Sequence, residues 1–136
     1  MKRKATAVWK GTLKEGNGII TTDSKVLNNT QYSFKTRFEQ GIGTNPEELI
    51  AAAHSGCFTM QLSAYITEAG FEVESLETTC AIDFQDKSVV GSHLSVKGKV
   101  KDMSADEFQK WVTKAETTCP ISRLLDTKIT SEAQLL

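Results

Sequence analysis

The alternation of apolar and polar positions predicts β-strands in the N-terminal part of the chain. Hydropathy alternates over residues 4–10, and residues 16–22 place β-branched side chains after a Gly-Asn-Gly turn. Residues 26–34 contain an Asn-Asn turn, after which Tyr32 begins a row of alternate side chains on one strand face and Arg37 lies on the other. These segments predict an antiparallel meander.

A long helix is predicted after these strands. Asn45 suits the N-cap, Pro46 suits the first helical position, and the two glutamates that follow complement the positive end of the helix dipole. The helix is expected to run to Glu68 or Ala69 and to stop at Gly70. Because its middle has no charged residue, we expect it to be covered on most sides, in part by a second chain.

Strand-like alternation returns after the long helix. It covers residues 77–84 and 93–100, and residues 86–92 join the two as a turn or as strand continuations. In the first of these strands Cys80 is in phase with Ile82, which predicts a buried thiol in the core.

The end of the chain predicts two more helices and a closing strand. Ser104 and Glu107 form a capping box ahead of an amphipathic helix, and a shorter helix begins at Pro120. Residues 128–135 alternate as a strand. The order β-β-β-α-β-β-α-α-β has no repeat and no linker, which predicts one α+β domain over residues 1–136.

Composition narrows the class of function. The 136 residues carry a formal net charge of -1 and no basic block, which argues against a nucleic-acid partner. The uncharged run over residues 49–67 contains several polar side chains, so we interpret it as a buried helix and expect no membrane partner. The basic start has no apolar segment after it, so no signal peptide is expected. Three cysteines without an export signal favour a reducing compartment, the cytoplasm.

Two cysteines have sequence contexts that suggest chemistry. Cys119 directly precedes Pro120 at a predicted helix start, where the dipole favours a thiolate; a small cap or core residue is the equal alternative. Cys57 lies about three turns past Asn45, so its own helix dipole helps it less. A reactive Cys57 therefore needs another positive group.

Arg37 is the candidate for that positive group, and Glu47 is the natural carboxylate to orient it. Glu47 and Cys57 are ten residues apart, which is about 15 Å along a straight helix, so the two cannot touch within one chain. Three arrangements stay open. The helix breaks near Gly56, Arg37 spans the gap, or a second chain supplies one partner.

His54 raises two further alternatives for Cys57. The two residues are three apart on a helix and could share a metal ion, but only one other histidine, His93, and no Cys-x-x-Cys pair are present to complete a site. His54 could also act as a base for Cys57, although nothing marks an oxyanion hole or a third member. We therefore predict no metal and no cofactor.

Two stretches of the chain resemble the OsmC/Ohr family, the osmotically inducible protein C and organic hydroperoxide resistance proteins. They are "FKTRFEQGIGTNPEELIAAAHSGCF" and, far downstream, "AETTCPISRLL". The opening "A-x-W-x-G" strand and the closing "CP-x-S" helix extend the resemblance over nearly the whole chain, and "GTNPEELIAAAH" is closest to the OsmC branch. The resemblance implies an OsmC-like fold, with antiparallel β-sheets around a long central helix in an intertwined homodimer.

The same resemblance implies a thiol peroxidase that prefers organic hydroperoxides to hydrogen peroxide. Cys57 matches the peroxidatic cysteine and Cys119 the resolving one, while Arg37 and Glu47 match the pair that activates the thiolate. In the family, reduction is linked to lipoyl-type dithiols. The apolar surroundings of Cys57 would receive an alkyl group. Its candidate walls are Ile50, Phe58 and Met60, for each of which core packing is the alternative.

Two rival functions stay open. One is a non-catalytic or ligand-binding protein on the same fold, against which the intact cysteine pair argues. The other is a thiol enzyme of different chemistry, such as a hydrolase or an acyl-transfer enzyme, that uses Cys57. Such an enzyme would not need Cys119, so the loss of Cys119 distinguishes it from a peroxidase.

Overall fold

The computed structural model describes residues 1–136 and has the expected mixture of helices and strands. Its elements are, in order, β1 (Ala5–Lys10), β2 (Asn17–Thr22), β3 (Thr30–Tyr32), α1 (Phe34–Phe38), α2 (Pro46–Glu68), β4 (Val73–Gln85), β5 (Ser88–Val100), α3 (Ala105–Thr118), α4 (Pro120–Leu124) and β6 (Lys128–Leu135). None of the helices combines the length and the hydropathy that crossing a membrane requires. One domain was expected, and the contacts divide the chain into two compact units, residues 1–49 and 50–136.

The first unit contains the predicted antiparallel meander. β2 pairs with β1 on one side and with β3 on the other. The Trp9 and Tyr32 rings lie 5.4 Å apart. A Cβ atom at Gly18 would lie 2.4 Å from the Tyr32 ring and 2.7 Å from the Trp9 ring, so only glycine allows these aromatic side chains to cover the strand.

The predicted strand through Arg37 is wrong, because residues 34–38 form the short helix α1. Ser33 caps this helix. Its hydroxyl accepts from the Thr36 N–H at 3.3 Å, and the Thr36 hydroxyl lies 2.8 Å from the Ser33 N–H in return. This reciprocal capping box fixes a helical turn, although every second side chain along the segment suggests a strand face. Arg37 therefore projects from a helix and not from a sheet.

The long helix α2 forms with the expected ends. The Asn45 side chain accepts from the Glu48 N–H at 2.8 Å, and Gly70 follows the helix with a φ of +90°. One face is buried through His54, Phe58, Leu62 and Ile66. The opposite face is exposed in this chain, where the Met60 residue keeps 77% of its surface accessible. The chain by itself thus covers one side of α2 and not most sides.

The second unit holds the sheet β4-β5-β6. β4 and β5 form a hairpin whose turn residues Asp86 and Lys87 both have positive φ, 48° and 65°. β6 pairs with β5 in parallel, which differs from the purely antiparallel sheets that were expected. The physical reason is that α3 and α4 lie between β5 and β6 and make the crossover that a parallel pair requires.

The core of the second unit lies between this sheet and its helices. As predicted, the Ser104 hydroxyl caps α3, accepting from the Glu107 N–H at 3.2 Å. A Cβ atom at Gly98 would lie 2.4 Å from the Phe108 ring, so a glycine in β5 lets α3 approach the sheet. The buried apolar cluster consists of Phe58, Leu62, Ile66, Leu94, Val96, Val100, Met103, Phe108, Val112, Ala115 and Cys119.

Candidate active site

The structure brings Cys57 and Cys119 together within the second unit. Both are free thiols, with Cys57 half-buried on α2 and Cys119 buried in the core. Cys57 packs against the buried cluster that contains Cys119, and the two thiols lie near enough for Cys119 to shift the pKa of Cys57. Two free thiols this near to each other are candidates for disulfide formation.

The pKa of the Cys57 thiol is raised by its surroundings. Burial is the largest cause, and the hydrogen bond and charge interaction with Cys119 act in the same direction. A hydrogen bond with the Ile121 backbone acts the other way and lowers the pKa. Since a thiolate is the nucleophile, Cys57 in this environment needs an added positive charge to react quickly at neutral pH.

Cys119 lies between two helices and not within either of them. It follows α3, with its N–H bonded to the Ala115 carbonyl at 3.0 Å, and precedes Pro120 of α4. Its side chain makes no capping hydrogen bond to α4 and is instead fully buried in the core. The structure thus shows the core burial that one interpretation of the sequence expected. The other interpretation, a reactive thiol at the start of α4, stays a prediction.

Arg37 and Glu47 form an ion pair within the first unit, as predicted. The Arg37 Nη2 atom lies 2.7 Å from Glu47 Oε1, and the Nε atom lies 3.1 Å from the same oxygen and 3.3 Å from Oε2. The Glu47 side chain is only 15% exposed, against 37% for Arg37. The carboxylate therefore fixes the orientation of the guanidinium group.

Backbone and side-chain hydrogen bonds hold this ion pair in place. The Asn45 side-chain amide donates to the Thr36 carbonyl at 3.1 Å, so the residue that caps α2 also binds α1. Thr36 is itself buried and belongs to the capping box of α1. Arg37 follows Thr36 directly, and Glu47 lies two residues after Asn45. Sequence reasoning missed these supports because the segment was interpreted as a strand.

Helix α2 is unbroken from Pro46 to Glu68. The suggested break near Gly56 is therefore wrong, because the helical backbone continues through it. The Arg37–Glu47 pair belongs to residues 1–49 and the Cys57–Cys119 pair to residues 50–136. The remaining two arrangements, in which Arg37 spans the distance or a second chain supplies one partner, stay predictions.

An aromatic cavity of about 300 Å³ adjoins Arg37 in the first unit. It is lined by Trp9, Leu13, Tyr32, Ser33, Phe34, Arg37, Phe38 and Pro46. No sequence signal pointed to it, because Phe34 and Phe38 were placed on a strand face, whereas on α1 their rings lie 4.8 Å apart. Apart from Arg37 and Ser33, its lining is apolar, which suits a hydrocarbon group.

The three predicted wall residues occupy different environments. Phe58 is completely buried in the core, Ile50 is half-buried, and Met60 is exposed on the opposite face of α2. Phe58 has no accessible surface in this conformation and packs against other core side chains. The substrate role of all three remains a prediction.

His54 is buried and both of its ring nitrogens have partners. Nδ1 lies 2.6 Å from the Ser92 hydroxyl of β5, and Nε2 lies 2.8 Å from the Ser122 hydroxyl of α4. Neither nitrogen is left for the metal or base roles that were considered. No group of three or more His, Cys, Asp or Glu side chains is placed to hold a metal ion. The sequence could not indicate this network, because the serines are 38 and 68 residues away along the chain.

Cys80 is half-buried on β4 and packs against the core, close to its predicted position. Its sulfur lies 3.3 Å from the Ser92 hydroxyl and 3.8 Å from His54 Nδ1. Burial raises the pKa of this thiol, and the hydrogen bond with Ser92 opposes the shift. Cys80 is therefore a thiol with a structural hydrogen bond, and its reactivity is a suitable internal reference for the reactivity of Cys57.

The burial of His54 predicts a pH-dependent stability. Desolvation lowers the pKa of His54 in the folded chain below its usual value of about 6.5. Below that pH the unfolded chain binds more protons at this position, so the free energy of unfolding should fall as the pH decreases and be fully retained above it. We expect urea denaturation to show this fall between about pH 7.5 and about pH 5.5.

The variants His54→Gln and His93→Gln separate this effect from other titrations. His93 has a half-exposed side chain and serves as the matched control. The pH dependence in this range should be reduced in His54→Gln and kept in His93→Gln. An unchanged pH dependence in a folded His54→Gln variant would contradict the prediction.

Comparisons with known proteins agree with the resemblance seen in the sequence. Residues 39–134 match the family described as OsmC-like protein. The chain is 42% identical to "Peroxiredoxin OsmC" of Escherichia coli over 98% of its length and 96% of that protein. It is 32% identical to "Organic hydroperoxide resistance protein OhrB" of Bacillus subtilis, over 78% of this chain and 79% of that protein.

Solved structures share the fold. An OsmC-like protein from Mycoplasma pneumoniae superposes with a TM-score of 0.77, 14% identity and coverage of 100% of this chain and 98% of its own. The OhrB protein of Bacillus subtilis superposes with a TM-score of 0.65, 23% identity and coverage of 98% of each chain. At these identities the similarity establishes the architecture alone.

Proposed function

Because the chain belongs to the OsmC-like protein family, we propose that it is a thiol peroxidase that reduces organic hydroperoxides, and hydrogen peroxide more slowly. The proximity of the free thiols of Cys57 and Cys119 in one packed region is the observation that carries the proposal. The names of the relatives, a peroxiredoxin and organic hydroperoxide resistance proteins, support the same chemistry.

In the proposed reaction the Cys57 thiolate attacks the distal oxygen of the hydroperoxide. The O–O bond breaks, the alkoxide leaves and takes up a proton as an alcohol, and Cys57 becomes a sulfenic acid. The Cys119 sulfur then attacks the Cys57 sulfur. A disulfide forms, and the hydroxyl group leaves with the Cys119 proton as water. An external dithiol, for which we propose a lipoyl-type compound, reduces the disulfide and restores both thiols.

Arg37 is proposed to stabilise the Cys57 thiolate, with Glu47 holding the guanidinium group. The ion pair seen within the first unit supports this assignment, because it presents a fixed positive charge. Because its surroundings raise the pKa of Cys57, this thiol needs such a positive charge to form a thiolate at neutral pH. The aromatic cavity beside Arg37 is proposed to receive the organic group of the substrate. The alternative is the wall predicted from the sequence, which consists of Ile50, Phe58 and Met60.

We further propose that the chain works as a homodimer in the cytoplasm. The exposed side chains on one face of α2 are small or apolar, and they include Ala53, Gly56, Met60 and Ala64. Such a face allows a second helix to approach closely. Three free cysteines suit a reducing compartment.

The proposal is tested by mapping the thiols after one equivalent of an organic hydroperoxide. Reduced protein is mixed with cumene hydroperoxide, alkylated and digested. We expect a disulfide between the peptides of Cys57 and Cys119, while Cys80 stays a free thiol in the same sample. Steady consumption of the hydroperoxide should follow when dihydrolipoamide is added, at a higher rate than for hydrogen peroxide.

Two results would overturn the proposal. In one, all three cysteines remain reduced after the hydroperoxide has been added. In the other, Cys80 is oxidised as fast as Cys57, which would indicate unselective oxidation of thiols.

A further inference from the structure

The buried histidine of the second unit connects α2, which carries Cys57, with α4, which begins directly after Cys119. His54 lies three residues before Cys57 on α2, and Ser122 lies three residues after Cys119 on α4. The bond from His54 Nε2 to the Ser122 hydroxyl, 2.8 Å long, therefore adds a second link to the packing of Cys57 near Cys119, about one helical turn away from the two thiols. Two separate links restrain both the rotation and the sliding of α4 against α2.

Helix α4 depends on such links because it is short. It has five residues, and its backbone bonds include one from the Arg123 N–H to the Cys119 carbonyl and one from the Leu125 N–H to the Ile121 carbonyl. A helix of this length has little stability of its own in water. Its position, and with it the position of Cys119, is set by tertiary contacts.

The imidazole ring is itself held rigidly. Nδ1 is bound at 2.6 Å to the Ser92 hydroxyl of β5, a central strand with partners on both sides. His54 is completely buried, and Ser92 and Ser122 are 1% and 6% exposed. Water therefore does not compete for these bonds, and removing one hydroxyl leaves a buried ring nitrogen without its partner.

We propose that His54 and Ser122 are positioning residues for disulfide formation between Cys57 and Cys119. Neither residue takes part in bond making. Together they hold Cys119 where its sulfur can attack Cys57 as soon as that sulfur becomes electrophilic, which is a matter of proximity and orientation. The inference rests on the proposed function only for the identity of the oxidant, since the same closure follows attack by any disulfide reagent.

The test uses dithiobis(nitrobenzoate), so that it does not depend on peroxidase activity. The Cys57 thiolate attacks the reagent, forms a mixed disulfide and releases one thionitrobenzoate anion. Cys119 then attacks the Cys57 sulfur, forms the protein disulfide and releases the second anion. The second, intramolecular phase measures the positioning of Cys119, and the first measures the reactivity of Cys57.

Ser122→Ala should slow the second phase about tenfold and leave the first phase unchanged, as the loss of one buried hydrogen bond implies. Ser122→Thr keeps the hydroxyl and should restore the rate. Ser104→Ala is the matched control, because it removes the N-cap of α3 and lowers stability without touching His54. The Ser104→Ala variant should form the Cys57–Cys119 disulfide at the wild-type rate. The same order of rates is expected for the decay of the sulfenic acid after cumene hydroperoxide.

A second phase of wild-type rate in folded Ser122→Ala would overturn the inference, and so would equal slowing in Ser104→Ala. Failure of the proposed function looks different. In that case closure after the disulfide reagent still depends on Ser122, while cumene hydroperoxide produces no sulfenic acid in any variant.

Discussion

Cys57→Ser is expected to abolish the consumption of organic hydroperoxides, while Cys80→Ser keeps nearly the wild-type rate. A serine hydroxyl is not ionised near neutral pH and cannot form a sulfenic acid, so the first bond-making step has no nucleophile. Both cysteines are half-buried and both have a pKa raised by burial, but only the pKa of Cys57 is also raised by a neighbouring thiol. The measurement is hydroperoxide consumption with dihydrolipoamide as reductant.

The Cys80 variant makes this comparison specific. Serine in place of Cys80 keeps a hydrogen-bonding group beside Ser92 and changes little in the packing. Equal loss of activity in both variants, with thermal unfolding unchanged, would mean that Cys80 is needed as much as Cys57 and that the Cys57–Cys119 pair alone does not account for the activity. Residual consumption in Cys57→Ser at a rate near the wild type would contradict the assignment of the attacking thiol.

Cys119→Ser separates a peroxidase from the rival thiol enzymes. In a peroxidase of this type the variant still forms the sulfenic acid at Cys57, but its turnover stops or becomes slow, because no second thiol closes the disulfide. A hydrolase or acyl-transfer enzyme uses Cys57 alone and would be insensitive to this change. The buried position of Cys119 against Cys57 is required only by the two-thiol chemistry.

The parts of the fold that follow local rules could be predicted from the sequence. The caps at Asn45 and Ser104, the stop at Gly70 and the alternating strands β4 and β5 each depend on residues within a few positions of one another. For α1 the local pattern gave the wrong prediction, because the alternation of aromatic residues indicated a strand. The capping box that fixes the helix was not recognised, since Thr36 stands where Glu or Gln is usual.

Features that depend on residues far apart in the sequence could not be predicted from the hydropathy pattern. The parallel pairing of β6 with β5 is decided by the path of α3 and α4, which hydropathy does not record. The partners of His54 come from β5 and α4. The sequence raised only a metal-ligand role and a base role for His54 and argued against both, so it gave no indication of this network. Arg37 and Glu47 were proposed as partners from the sequence, and the resemblance of motifs gave each site residue its role. The distances within the ion pair and the proximity of the two thiols required the structure.

Arg37→Ala is expected to raise the pKa of Cys57 and to slow its reactions at neutral pH. An opposite charge close to an ionisable group shifts its pKa by about 1–3 units, so the thiolate fraction should fall roughly tenfold to a thousandfold. The rate of alkylation of Cys57 by iodoacetamide, followed against pH, measures this directly. Its midpoint should move upward, and hydroperoxide consumption at neutral pH should fall by a similar factor.

The fold should survive this change. The Arg37 side chain is 37% exposed, and an ion pair of this kind contributes at most about 1 kcal/mol to stability. Lys35→Ala is the matched control, because it removes a neighbouring positive charge from the same short helix. Glu47→Gln should have a smaller effect than Arg37→Ala, since the guanidinium charge remains but loses the carboxylate that orients it.

The alkylation experiment tests the role of Arg37 directly, because the other groups around Cys57 raise its pKa on balance. Burial and Cys119 already hold this pKa high, and the hydrogen bond with Ile121 opposes them. Without an external cation, Cys57 should therefore react no faster than an ordinary buried thiol such as Cys80. If the alkylation profile of Arg37→Ala coincides with that of the wild type, Arg37 does not activate Cys57. A profile that moves equally in Lys35→Ala would instead indicate a general effect of charge, and only a selective shift assigns the thiolate to Arg37.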